Sequence, residues 1–539
     1  MSRFHPFRLL HPVGRVSNPS GTTCNAALLA TRRIATLAAF FCLCVAASAS
    51  ESPSRNVAQP PSAVRNPPAQ PRAAVPQVGS GIAGKRPNIL FLLSDDHSYP
   101  YLGCYGCKDL QTPNLDRFAA QGMRFDRMFV GCPQCVPSRA TLMTGRSAVA
   151  VRMVRFTSPL PAELPALPDL LRDKAGYFTG VGGRSYHLDG PSGKGKHASP
   201  EIDAALRKHG LRTFTSRVDY VEKGGGMKDF GAKLAAFLDA APKGKPWFFW
   251  LGFSDPHHPW DTKGPRGVPD PAKLTLPPHV PDLPGVRSDL ARYLAEVEHL
   301  DGDVQDVLDV LQSRGLAENT LVVFMGDNGM ATPHGKGSLY DPGIAVPLLV
   351  RWPGVVKPGL TTAQLVSGED FAPTMLEAAG VAPPKEMSGV SYLKLLRGEP
   401  FAGRKYVFAE RGPHGGDGGM RPDISAATFD LARCVRSDRF KLIYNCTPHQ
   451  AVAPVDSQRD PGWQEMKAAH AAGTLAQALV KSYFTTPRPT FELYDLDADP
   501  GEVRNLAGNP KFKEAELELK RALTEKMVLD WDFLPTPLK

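Results

Sequence analysis

Long apolar runs are scarce in this 539-residue chain. The N-terminal run Ile34 to Ala47 is too short for a dependable membrane span. Net charge is also missing where it would matter. The formal charge is +9, but residues 1–86 hold ten Lys/Arg and only one acid, Glu51. The remainder carries 53 basic and 53 acidic residues. The basic balance therefore belongs to the leader and argues against nucleic-acid binding by the folded part. No internal repeat is present. Cysteine is sparse: nine residues, of which Cys24, Cys42 and Cys44 fall in the leader.

The leader itself is informative. Arg32-Arg33 precedes the apolar run and Ala47-Ser48-Ala49 follows it, which predicts a secretory signal peptide over residues 1–49. Export to the periplasm or the medium is the expected localisation. A twin-arginine reading of Thr31-Arg32-Arg33-Ile34 is weakened by Ala35-Thr36. Residues 50–85 are rich in Pro, Ala and Ser and predict a linker without a core.

The densest chemistry lies in Gly131-Cys-Pro-Gln-Cys135-Val-Pro-Ser-Arg139 and the stretch to Gly145. Pro137 suits a first helical turn and Gly145 a helix stop. Cys135 then sits at a helix N-terminus, where N–H groups and the dipole favour an anion, with Arg139 one turn on. A free buried cysteine is the plain alternative. A second alternative joins Cys104-x-x-Cys107 to Cys132-x-x-Cys135 as a zinc ribbon.

Three apolar runs read as strands buried on both faces: Asn88–Leu93, Trp247–Phe253 and Thr320–Met325. Each ends in polar residues: Ser94-Asp95-Asp96-His97, Ser254-Asp255-Pro256-His257-His258, and Gly326-Asp327-Asn328. Ligands collect at such strand ends in α/β sheets. Asp95, Asp96, Asp327 and Asn328 offer only oxygen, which selects Ca²⁺ or Mg²⁺ over zinc. His257, just past a strand end, suits a general acid. Gly176 to Gly190 carries Arg184 and His187 after a short strand, an arrangement fit for an anion. Thr112 to Gly122 predicts a capped helix and Pro168 to Ala175 another. Leu290 to Arg314 predicts an amphipathic helix whose acidic face (Asp301, Asp303, Asp306, Asp309) is expected in solvent. Cys434 and Cys446 flank a hairpin turning at Ser437-Asp438, with Cys434 expected opposite Lys441. A final helix is expected from Pro510 to about Leu529.

The C-x-P-S-R stretch at Cys135 resembles the signature of the formylglycine-dependent sulfatases. So do four further motifs in that family's order, over roughly residues 86–530. The Tyr177 to His187 segment departs from the family pattern: Arg184 replaces a Lys and His187 sits one residue late. Asp255-Pro-His257, Asp327 to Lys336, Cys434 to Asn445 and the Tyr494 to Leu506 run look closest to the sulfamidases (N-sulfoglucosamine sulfohydrolases). The resemblance implies an α/β fold: a large mixed sheet of the alkaline-phosphatase type between helices (86–400), then a smaller antiparallel α+β domain (401–539). It implies that Cys135 is oxidised to formylglycine by a maturating enzyme, and that Ca²⁺ is held by Asp95, Asp96, Cys135, Asp327 and Asn328. Arg139, Arg184 and Lys336 would neutralise the sulfuryl group. His257 would protonate the leaving atom, and His187 would assist release of sulfate. The expected substrate is a sulfated saccharide. The rivals are a phosphate-ester hydrolase of the same superfamily, and a non-catalytic sulfatase-like or zinc-binding protein.

Overall fold

The computed structural model describes residues 86–538, except 154–158, 191–197, 224–225 and 414–428. The expected signal peptide and linker lie outside the described residues.

The chain runs β1 (Asn88–Ser94), α1 (Pro113–Ala120), β2 (Met123–Phe125), β3 (Met128–Phe129), α2 (Cys135–Thr144), α3 (Leu167–Ala175) and β4 (Phe178–Gly183). It continues with α4 (Pro200–Arg207), β5 (Tyr220–Val221), α5 (Phe230–Ala240), β6 (Trp247–Gly252), α6 (Pro284–Ser313), β7 (Thr320–Gly326), β8 (Leu348–Arg351), β9 (Leu360–Thr362) and β10 (Val366–Ser367). Eight strands form one sheet in the order β5-β4-β6-β1-β7-β8-β2-β9. Only β8 runs against its neighbours. Strands β3 and β10 pair separately.

The three apolar runs form the middle of this sheet, as their lack of polar alternation requires. In β1, Ile89, Phe91 and Leu93 point into one core; Leu90 and Leu92 point into the other. Successive strand side chains face opposite sides, so each face needs its own helical cover. Leu142 and Leu171, from α2 and α3, join the first core; Leu115, Leu234 and Leu294, from α1, α5 and α6, join the second.

Strands β11 (Val407–Arg411), β12 (Ala432–Arg436), β13 (Phe440–Asn445) and β14 (Phe491–Asp495) form an antiparallel sheet in that order. Helix Lys513–Leu529 covers one face through Leu519, Leu523 and Met527. Lys441 of β13 ties this sheet back to the short helix Asp341–Ile344 that follows β7, 2.7 Å from Asp341.

Five local expectations change. The β12–β13 register pairs Arg436 with Lys441 and Cys434 with Ile443, because the turn centres on Asp438-Arg439. Cys434 and Cys446 are both free. Helix α6 begins at Pro284, whose fixed φ suits a first helical position, well before Leu290. Its acidic face is not uniformly solvated. Asp301 is buried and accepts the Leu115 and Asn114 N–H groups at 2.7 and 3.2 Å, capping α1 from outside. Thr112 does not cap α1 with its hydroxyl, which donates to Asp116 at 3.0 Å. The last helix starts at Lys513, after a 3₁₀ turn at Pro510–Phe512.

Candidate active site

Four adjacent parallel strands, β4-β6-β1-β7, end side by side. Their ladder continues past the strands. Asp327 N–H donates to Ser94 O (3.0 Å), Phe253 N–H to Leu93 O (2.9 Å) and Arg184 N–H to Gly252 O (2.7 Å). The polar strand tips are thereby brought together: Asp95 and Asp96, Arg184, His257, and Asp327 with Asn328. Gly183 makes the β4 exit feasible. Its φ is +61° and a Cβ there would lie 2.1 Å from Gly252 O.

Helix α2 points its first turn into this gathering. Cys135 is its first residue and Gly145, at φ +64°, ends it. Cys135 and Arg139 are four apart and share one helix face. The Cys135 Sγ–H donates to Asp95 Oδ1 at 3.3 Å. Burial and Asp95 push the thiol pKa well above its ordinary range, so the thiolate is suppressed. Arg139 is fully buried and forks onto Asp327 Oδ2 through Nε (3.0 Å) and Nη2 (2.8 Å); Nη2 also lies 3.0 Å from Asp95. Arg184 pairs with Asp95 as well.

Asp95, Asp96 and Asp327 are all fully buried. Burial raises the Asp96 pKa to about 8, and Asp95 and Asp327 add to the rise. Burial and Asp95 raise Asp327 to about 6. Asp95 is held well below its ordinary range by Arg184 and Arg139 against its own burial. Asp96 also adopts φ +60°, a conformation rare for a residue with a Cβ. Asn328 Nδ2 donates to Asp96 Oδ1 at 2.8 Å, while Asn328 Oδ1 is buried without a partner. Donor atoms of Asp95, Asp96, Cys135 and His257 lie within 4.8 Å of one another. Crowded buried carboxylates beside an orphaned carbonyl oxygen fit a hard divalent cation.

Lys336 forms the far wall. Its Nζ lies 2.9 Å from Asp96 Oδ2 and 3.1 Å from His257 Nε2. His257 Nδ1 donates to its neighbour's carbonyl, which leaves Nε2 as the acceptor from Lys336. Burial and Lys336 lower the His257 pKa to about 3. His187, in the turn Tyr186–Asp189, is half-buried with Nδ1 enclosed and unpartnered, and its pKa falls through desolvation and Arg139. The ten residues expected to bind the cation or act on sulfate, Asp95, Asp96, Cys135, Arg139, Arg184, His187, His257, Asp327, Asn328 and Lys336, thus face this one site.

Three neighbours gave no signal in the sequence. Asp456 Oδ2 lies 2.8 Å from Lys336 Nζ. Asp460 pairs with His258 Nε2 at 2.9 Å. Gln134 exchanges hydrogen bonds with the Gly412 backbone at 3.3 Å in both directions, fixing the chain before α2. The zinc-ribbon alternative fails. Among the described residues, neither group able to hold a metal contains Cys104, Cys107 or Cys132. Cys104 and Cys107 pack on the α1/α6 core instead.

The family profile described as Sulfatase matches residues 87–381. The chain belongs to the sulfatase family. It is a sulfuric ester hydrolase. A second profile, N-sulphoglucosamine sulphohydrolase, C-terminal, matches residues 333–481. The chain is 28% identical to an ulvan-active sulfatase of Formosa agariphila, over 81% of this chain and 74% of that one. It is 28% identical to human N-sulphoglucosamine sulphohydrolase, over 82% and 90%. The fold matches that of BT4656, solved with its substrate D-glucosamine-2-N,6-O-disulfate: TM-score 0.61, 21% identity, 84% of this chain and 100% of that one. A phosphonate monoester hydrolase of Silicibacter pomeroyi shares the fold at TM-score 0.57, 21% identity, 83% and 96% coverage. No helix among the described residues is long and apolar enough to cross a membrane.

Proposed function

We propose that this sulfatase removes sulfate, ester- or nitrogen-linked, from a sulfated saccharide, with Cys135 converted to formylglycine and Ca²⁺ as the metal. The observation that carries the reading is the pairing of a suppressed thiol at Cys135 with three buried carboxylates. A thiol held protonated cannot serve as the nucleophile. Conversion to the aldehyde, hydrated in water, replaces it with a hydroxyl. The calcium ion, when bound, supplies Lewis acidity toward the sulfate oxygens.

The chain's own residues do the rest. Asp95, Asp96, Asp327 and Asn328 hold the cation, with residue 135 beside it. Arg139 and Arg184 set two fixed positive charges against the sulfuryl group, and Lys336 adds a third from the opposite wall. Burial excludes water and strengthens each of these interactions. His257 and Lys336 share one proton between Nε2 and Nζ, and this pair delivers it to the departing oxygen or nitrogen. His187, neutral and half-buried, takes a proton from the group at position 135 as sulfate leaves.

The names of the relatives support a glycan substrate. The matching C-terminal profile supports a sulfamidase-like member. The leader supports export, and the modification calls for a maturating enzyme of the formylglycine-generating or anaerobic type.

The test is sulfate release from a panel of sulfated saccharides by protein made with a maturation system. Release that requires both Ca²⁺ and Cys135 supports the reading. Full turnover by Cys135→Ser made with an oxygen-dependent maturation system would overturn it.

A further inference from the structure

Lys336 makes three contacts with its ammonium group: Asp96 at 2.9 Å, Asp456 at 2.8 Å and His257 at 3.1 Å. An ammonium has three N–H donors, so all are committed. A sulfated substrate that takes one of them must displace a partner. Asp96 is fully buried, and His257 is held through Nδ1 by a backbone carbonyl. Asp456 is the partner best able to turn away. Its side chain is 31% exposed, against 18% for His257 and none for Asp96. It arrives from the separate segment between β13 and helix Pro461–Ala471, at φ +66°. Aspartate takes up that left-handed conformation more readily than most residues, and here its carboxylate reaches Lys336 on the wall that also carries His257.

We infer that Asp456 is a specificity residue: on substrate binding its carboxylate leaves Lys336 and accepts a hydrogen bond from a hydroxyl or amino group next to the scissile sulfate. The inference rests on the reading of the site as a saccharide sulfatase. A carboxylate in that position rewards a neutral or cationic donor and repels a second anion. The preferred substrate unit therefore carries a free hydroxyl or amine beside the sulfate that is removed, not another sulfate.

The test uses matured, calcium-loaded enzyme. Glucosamine N-sulfate, N-acetylglucosamine 6-sulfate and N-acetylgalactosamine 6-sulfate are each assayed beside the same sugar carrying a second sulfate on a neighbouring hydroxyl. For the sugar that is hydrolysed, the wild-type enzyme should prefer the monosulfated form in kcat/KM by about 10- to 100-fold, the scale of a hydrogen bond to a charged group. Asp456→Asn, which keeps the shape, should bring that ratio close to one, and Asp456→Glu should preserve the preference. General structural damage lowers both rates together and leaves the ratio intact. An unchanged ratio in Asp456→Asn overturns this inference alone. A wild-type enzyme that releases sulfate neither from these sugars nor from any of the other sulfated saccharides in the panel overturns the reading of the site, and this inference with it.

Discussion

The thiol of Cys135 donates to Asp95 Oδ1 across 3.3 Å. A carboxylate in contact with a buried thiol opposes its ionisation, and Asp327 and Asp96 add to the effect. Unconverted Cys135 should therefore resist iodoacetamide at neutral pH in the native protein and react once the protein is unfolded. Peptide mapping after each treatment checks this. Rapid native labelling at Cys135 would contradict it. Cys135→Ala should lower sulfate release by about 10³-fold or more, because the nucleophile is lost outright.

Arg139 should be as important for folding as for activity. It is fully buried and binds Asp327 and Asp95 together. Removing one partner of a buried ion pair leaves charge uncompensated and costs about 3–5 kcal/mol. Arg139→Ala should show that loss in chemical denaturation of the metal-free protein. Arg139→Lys should recover part of the stability but not the fork onto Asp327.

The central strands and the polar residues at their tips were legible in the sequence, because continuous apolar runs must be buried on both faces. The helix at Cys135 was legible from Pro137 and Gly145. Asp456, Asp460 and Asp301 were not. Each acts on a partner more than a hundred residues away: Lys336, His258 and the α1 N-terminus. No local pattern encodes such a contact. The hairpin register failed for a smaller reason: the two-residue turn sits one residue later than expected, with Ser437 and Phe440 bonding across Asp438-Arg439.

Calcium should stabilise the fold as well as activate it. Three buried carboxylates share one pocket, and a ligand that binds only the folded state adds about 2.7 kcal/mol at a hundredfold excess over Kd. Chelation should lower the Tm and abolish sulfate release, and added Ca²⁺ should restore both. A Tm indifferent to chelator and Ca²⁺ would contradict the metal site.

Glu410 gives stability a pH dependence away from the reacting groups. It is buried, accepts the Val149 N–H at 2.6 Å, and burial raises its pKa to about 8. A raised folded pKa means the folded state binds the proton that the unfolded state releases above its ordinary value. The stabilising contribution is full below the unfolded pKa and is lost as pH rises through about 8. The loss is at most about 1.4 kcal/mol per pH unit. Glu410→Gln should remove it, so the stability gap between variant and wild type should move in the variant's favour from acidic to mildly alkaline pH. Denaturation curves at both ends of that range measure the gap.

The central claim is the modification at Cys135. The most direct measurement is the mass of the tryptic peptide Met128–Arg139 from protein exported by its own host. The account predicts a side-chain CHO in place of CH₂SH at Cys135, on a peptide whose Cys132 remains a thiol. An unmodified thiol at Cys135, in protein that still releases sulfate, would contradict it.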